Sequence, residues 1–184
     1  MTKVAVCVGH NSKAQGAMGN MGVSEYILNS AIANIIKQRL KDSDIQVKIF
    51  HRRPYKSYRR QMIRLANEVN AFDPCFAIEM HFNAGNSKAR GHEALYWHTS
   101  NKGRKIAFVF NQYFGKYLNT RDRGIKPLTK ADRGARFTYS IKAPAIICEP
   151  FFAGNEDYIL NDRFEALVTA YVEAIKFTVK EKLC

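Results

Sequence analysis

The strongest constraint on the fold of this chain is the alternation of short apolar runs with stretches of helical periodicity. Val4 to Val8 (VAVCV) is an unbroken apolar run of five residues, the pattern of a strand covered on both faces. Ile27, Leu28, Ala31, Ile32, Ile35, Ile36 and Leu40 then recur at three- and four-residue steps, giving a helix that Ser24 is placed to cap. The alternation continues with a strand from Ile45 to Phe50 and a helix marked by Met62, Leu65, Ala66 and Val69, ended before Phe72-Asp73-Pro74. Further strands are expected from Cys75 to His81, Glu93 to His98 and Pro144 to Cys148, with a helix from about Gly103 to Leu118. A closing helix carries Phe164, Leu167, Val168, Tyr171, Val172, Ile175 and Val179 as one stripe. The polar, basic, glycine-containing stretch from Asn119 to Arg136 reads as a loop over one end of the sheet. Parallel strands need helical crossovers, so this order specifies a three-layer α/β domain with a mostly parallel twisted sheet and helices on both faces.

The 184 residues are expected to form one domain, 1–184. A hydrophobic fraction of 46% excludes the charge-dominated composition of disordered chains. No apolar run approaches the ~20 residues of a bilayer span, so the chain is not expected to be membrane-spanning. Lysine and arginine number 29 against 16 acidic residues, a formal charge of +13, which favours polyanionic partners. Six basic and no acidic residues lie between Arg52 and Arg64, and twelve basic residues face three acidic ones between Lys88 and Arg136. Such runs are also what a solvated basic face looks like. Cys7, Cys75, Cys148 and Cys184 contain no C-x-x-C pair and are read as free thiols, the first three buried in apolar runs.

Reactive groups stand where the strands end. His10 lies two residues past the first strand, His81 ends the third, and Glu149 ends the Pro144 to Cys148 strand. In parallel strands these ends share one edge of the sheet, where open α/β sheets form their ligand crevice. Glu25 opens the first helix after a loop with Gly16, Gly19 and Gly22 that returns the chain to the same edge. Two histidines and a carboxylate are the ligand set of catalytic zinc sites that keep one position open for water. A further carboxylate, Glu149, is then available as general base. Each residue alone has a plainer reading, as a hydrogen-bonded loop histidine or a helix-dipole carboxylate; their coincidence on one edge argues for a site.

The local sequences resemble the zinc-dependent N-acetylmuramoyl-L-alanine amidases of the Amidase_3 type. The likeness runs through Val4-Ala5-Val6-Cys7-Val8-Gly9-His10, Glu25 with Leu28-Asn29, Leu65-Ala66-Asn67 and Met80-His81-Phe82-Asn83-Ala84. It continues with Gly91-His92-Glu93, Arg123-Gly124-Ile125-Lys126 and Pro144-Ala145-Ile146-Ile147-Cys148-Glu149 before Phe152 and Asn155. The resemblance places the family's metal ligands on His10, Glu25 and His81 and its catalytic glutamate on Glu149, with one Zn2+ per chain. Two departures stand out: Cys7-Val8 where the family commonly has Asp-Pro, and Glu79 where it usually has a small polar residue. On a strand Glu79 shares a face with His81, so it either orients that imidazole or pairs with one of the many basic residues. Asn83 and Arg123 are further candidates for supporting the site or touching substrate. His51, His92 and His98 match no ligand position.

The resemblance implies hydrolysis of peptidoglycan at the amide between N-acetylmuramic acid and L-alanine, with no separate wall-binding domain. Anionic envelope polymers are expected partners of the basic surface, and nucleic acid is not. Val4 to Val8 is shorter than the apolar region of a signal peptide. Synthesis in the cytoplasm and holin-dependent release to the periplasmic wall, the route of phage endolysins, is therefore expected. Two other classes remain open to the sequence: another zinc amidohydrolase or peptidase on a small substrate, and a basic nucleic-acid-binding domain without a metal.

Overall fold

The computed structural model describes residues 1–19, 22–156 and 158–184. The elements run β1 (Thr2–Val8), α1 (Glu25–Arg39), β2 (Ile45–His51), α2 (Tyr58–Phe72), β3 (Phe76–Met80), β4 (His92–Trp97), α3 (Asn101–Leu118), β5 (Asp122–Leu128), α4 (Ala135–Ser140), β6 (Ala145–Glu149), α5 (Tyr158–Asp162) and α6 (Phe164–Lys180). Six strands form one sheet in the order β2-β1-β3-β6-β4-β5. β1 lies parallel to β2 and to β3, and β3 parallel to β6. β4 runs antiparallel to β6 and parallel to β5. The C-terminal ends of β1, β3 and β6 therefore share one edge with the beginning of β4.

Side chains alternate across the central strands, and each face has its own core. Val4, Val6 and Val8 of β1 join Ile78 and Met80 of β3 beneath α1, α3 and α6. Ala5 and Cys7 face the opposite way, with Ala77 and Ile147, against Met62, Leu65, Ala66 and Val69 of α2 and Phe137 of α4. This is the expected three-layer arrangement. The apolar runs read as two-face-buried strands because both faces are covered.

Local signals behave as their chemistry requires. The Ser24 side chain accepts from the Ile27 N–H at the start of α1, satisfying one of the donors a helix start leaves open. Asp73 closes α2 in the left-handed region, φ 53°, where Asp is among the better-tolerated non-glycine residues. Ile27, expected on the apolar face of α1, is 51% exposed. The buried stripe of α1 is Asn29, Ile32, Ala33 and Ile36, rotated because α1 also turns Glu25 and Asn29 inward. The Asn29 amide donates to the Met80 carbonyl at 3.1 Å and ties α1 to the end of β3.

Two further expectations fail. Residues 119–136 are not one loop: β5 occupies Asp122–Leu128 and α4 begins at Ala135. β5 is an edge strand with little of its surface buried, so its composition is polar, and an edge position also accommodates Pro127, which has no ladder donor. The cysteines are not all free. Cys75, just before β3, and Cys184, after α6, form a disulfide across a sequence separation of 109, while Cys7 and Cys148 are free and buried.

Candidate metal centre

β1 ends in Gly9-His10, and the turn there is tight. The Gly9 N–H donates to the Met80 carbonyl at 3.0 Å, and a Cβ at Gly9 would stand 2.4 Å from that oxygen and 2.5 Å from the His81 ring. His10 takes φ 65°, a conformation costly for most L-residues, and this turns its imidazole toward α1. From Asn11 the chain loops back so that the Glu25 N–H donates to the Ala17 carbonyl at 2.9 Å. That loop includes residues 20 and 21, which lie outside the described residues. His81 follows β3, its N–H donating to the Cys148 carbonyl of β6 at 3.0 Å.

Glu25 is the centre of the site. It is 2% exposed, and an unpaired buried carboxylate would cost several kcal/mol. Four neighbours meet its two oxygens. Oε1 lies 2.9 Å from His81 Nδ1 and accepts from the Phe82 N–H at 2.9 Å. Oε2 lies 3.1 Å from His10 Nε2 and accepts from the Ala17 N–H at 3.0 Å. Burial by itself would raise the carboxyl, but the hydrogen bonds with His10 and His81 and their charges outweigh it and hold Glu25 well below the ordinary carboxylate range. Burial would lower His81, yet its bonds to Glu25 and Glu79 raise it well above the ordinary imidazole value.

His10, Glu25 and His81 each offer a donor atom within 4.8 Å of the others, a group able to hold a metal ion. All three line a cleft of about 740 Å³ together with Glu79, Asn83 and Glu149. Glu149 Oε2 is buried without a hydrogen-bond partner. Burial, and then the nearby carboxylates of Glu25, Glu93 and Glu79, push Glu149 up to about 8 against the opposing charge of His81.

The remaining candidates fall in two places. Glu79 Oε2 lies 3.4 Å from His81 Nε2, and among the described residues Glu79 forms no ion pair with lysine or arginine. Asn83 and Arg123 meet through a residue the sequence reading did not single out: Glu93 accepts from the Asn83 amide at 2.6 Å and from Arg123 Nε at 3.0 Å. Arg123 also lies over the Phe152 ring, 5.0 Å from its centroid. His92 is buried away from the cleft, its Nδ1 2.8 Å from the Thr120 hydroxyl. Arg52, within the basic run that the sequence left open between polyanion contact and a solvated face, is 8% exposed and lines the cleft.

With this geometry in place, the comparisons decide the family. The profile of the Amidase_3 family, N-acetylmuramoyl-L-alanine amidase, matches residues 4–176. The chain belongs to that family. It is an N-acetylmuramoyl-L-alanine amidase, and of the three classes open to the sequence only this one agrees with the match. The catalytic domain of the CD27L endolysin targeting Clostridia difficile is 26% identical over 95% of this chain and 97% of that one, with a TM-score of 0.80. A putative N-acetylmuramoyl-L-alanine amidase from Neisseria meningitidis is 25% identical over 97% and 96%, TM-score 0.74. The catalytic domain of the amidase CwlV from Bacillus (Paenibacillus) polymyxa var. colistinus shares the fold at 20% identity, covering all of both chains with a TM-score of 0.77. Comparison with curated proteins returned no match.

Proposed function

We propose that this amidase is zinc-dependent, that His10, Glu25 and His81 hold the metal, and that Glu149 is its general base. The carrying observation is the pair of imidazole nitrogens set one against each oxygen of the buried Glu25 carboxylate, in the cleft that Glu149 also lines. Two imidazoles with one carboxylate suit zinc better than the oxygen-only sites of calcium or magnesium. When bound, zinc supplies Lewis acidity at the scissile carbonyl and brings the pKa of a water to about 7.

The protein's own groups then have distinct tasks. Glu149, which lines the cleft beside the proposed ligands, takes the proton of the attacking water and returns it to the departing amine of L-alanine. Glu79 fixes the His81 ring from the side opposite Glu25. Glu93, holding both Asn83 and Arg123, keeps the cleft wall beside Glu149 in one arrangement.

The physiological role in this reading is wall degradation during host lysis by a phage or prophage endolysin made in the cytoplasm. The likeness to an endolysin catalytic domain supports it. The Cys75–Cys184 disulfide supports action in an oxidising compartment such as the periplasm, and the +13 charge suits an anionic envelope. The test is release of soluble muropeptide from purified sacculi, with and without a chelator, together with zinc analysis. About one zinc per chain, loss of activity on chelation and recovery on zinc addition are expected. His10→Ala and His81→Ala should lose metal and activity together; full activity in the metal-free protein refutes the reading.

A further inference from the structure

One wall of the cleft carries positive charge that the metal-site residues do not use. Arg52 follows β2 and is 8% exposed, yet it has no ion pair among the described residues. Its Nη1 lies 3.4 Å from the Met62 sulfur and its guanidinium lies over the Tyr58 ring, 5.4 Å from the centroid. Its Nε is buried without any acceptor. A buried guanidinium with an idle donor lacks the anion that would normally justify its desolvation. Arg133, in the turn before α4, and Tyr58 both line the same cleft and are exposed. Burial and then the Glu79 carboxylate push the Tyr58 hydroxyl up, and the charges of Arg52, Arg136 and Arg133 act against them.

The geometry points to a carboxylate-binding subsite formed by Arg52, Arg133 and the Tyr58 hydroxyl, which takes the acidic stem peptide on the leaving-group side of the scissile bond. The inference rests on the reading that this cleft is where the amide is cut. Charge complementarity selects the stem over the glycan. The sugar part of the substrate is neutral, whereas the residue after L-alanine carries a free α-carboxylate unless it is amidated. Arginine is suited to that group because its planar fork can donate two parallel hydrogen bonds to one carboxylate. Glu79, which lines the same cleft, sets Oε2 on His81 and leaves Oε1 without a hydrogen-bond partner, and among the described residues it forms no ion pair with either arginine.

The test compares hydrolysis of N-acetylmuramoyl-L-alanyl-D-isoglutamate with that of its amide, the isoglutaminyl form, which differs only in that carboxylate. The parent should favour the acid in kcat/KM by about tenfold to a hundredfold, the usual loss when a charged hydrogen bond is removed. Arg52→Gln and Arg133→Gln should each bring the ratio toward one, and Arg52→Lys should keep part of it. Arg133 is exposed, so Arg133→Gln remains informative if Arg52→Gln folds poorly. Equal use of the two substrates by the parent, or a preference that survives in both Gln variants, overturns the subsite. Glu149→Gln measured alongside separates the readings: turnover that survives it overturns Glu149 as base, while the acid-to-amide ratio still decides the subsite.

Discussion

Glu93 and Glu149 stand directly opposite one another across the antiparallel β4–β6 pair. Facing like charges are unfavourable on a sheet, and the two residues resolve this unequally. Glu93 has its charge taken up by Asn83 and Arg123, whereas Glu149 Oε2 is buried with no partner. The proton therefore belongs to Glu149, held up to about 8 by burial first and by its acidic neighbours next.

This predicts a pH dependence of stability in the metal-free protein. The folded state keeps the Glu149 proton to about pH 8, while the unfolded chain releases it near 4.5. The folded state binds more protons across that window, so the contribution is full below 4.5 and is lost as pH rises through 8. Thermal unfolding between pH 4 and 9 should show the parent falling relative to Glu149→Gln. Parallel curves for the two proteins would contradict the shift.

A second prediction separates two glutamates of identical chemistry. Glu25 is proposed as a ligand, so Glu25→Gln should weaken zinc binding and lose activity through that loss. Glu149 is proposed as a base, so Glu149→Gln should keep its zinc while activity falls on the order of 10²–10⁴-fold. Metal analysis beside turnover decides this, and the opposite pattern would reverse the roles.

Much of this arrangement is legible in the sequence because it follows from strand ends. His10, His81 and Glu149 could be placed on one edge as soon as β1, β3 and β6 were read as parallel, and Glu25 followed from the loop that returns to that edge. β5 was not legible, since an exposed edge strand lacks the apolar signal that marks a central one. The burial of Arg52 was hidden inside a run of six basic residues, five of which lie outside the core. Glu93 acquires its role only through β4 pairing antiparallel with β6, a register no local pattern specifies.

The disulfide likewise has no local signature, because its cysteines lie 109 residues apart, and it predicts a thiol count. Of four cysteines two are bonded. With Cys7 and Cys148 buried, a thiol reagent should find about none in the native oxidised protein, two after denaturation and four after reduction. Closing so long a loop should stabilise by about 2–4 kcal/mol, so Cys184→Ser should lower the midpoint of denaturation measurably. Four reactive thiols in the denatured, unreduced protein would show that the bond is absent.

The last prediction concerns Gly16, which touches no substrate in the proposed mechanism yet sets the geometry of the metal centre. Its φ of +80° is a conformation that L side chains rarely adopt, and a Cβ there would stand 2.4 Å from Glu25 Oε2 and 2.5 Å from His10 Cδ2. Glu25 is the less able of the two to move, because its oxygens also hold the Ala17 and Phe82 N–H groups and face His81. His10 is partly exposed and has room to swing outward. Gly16→Ala should therefore displace His10 from Glu25, weakening zinc affinity by about 10–100-fold, the range seen when the groups supporting metal ligands are removed. The global fold should persist, because the clash lies at the cleft and outside both cores. Competition with a calibrated chelator measures the affinity, and activity should return in part at high zinc. An unchanged affinity would mean that the His10–Glu25 contact at 3.1 Å does not govern metal binding, and the proposed ligand set would fall with it.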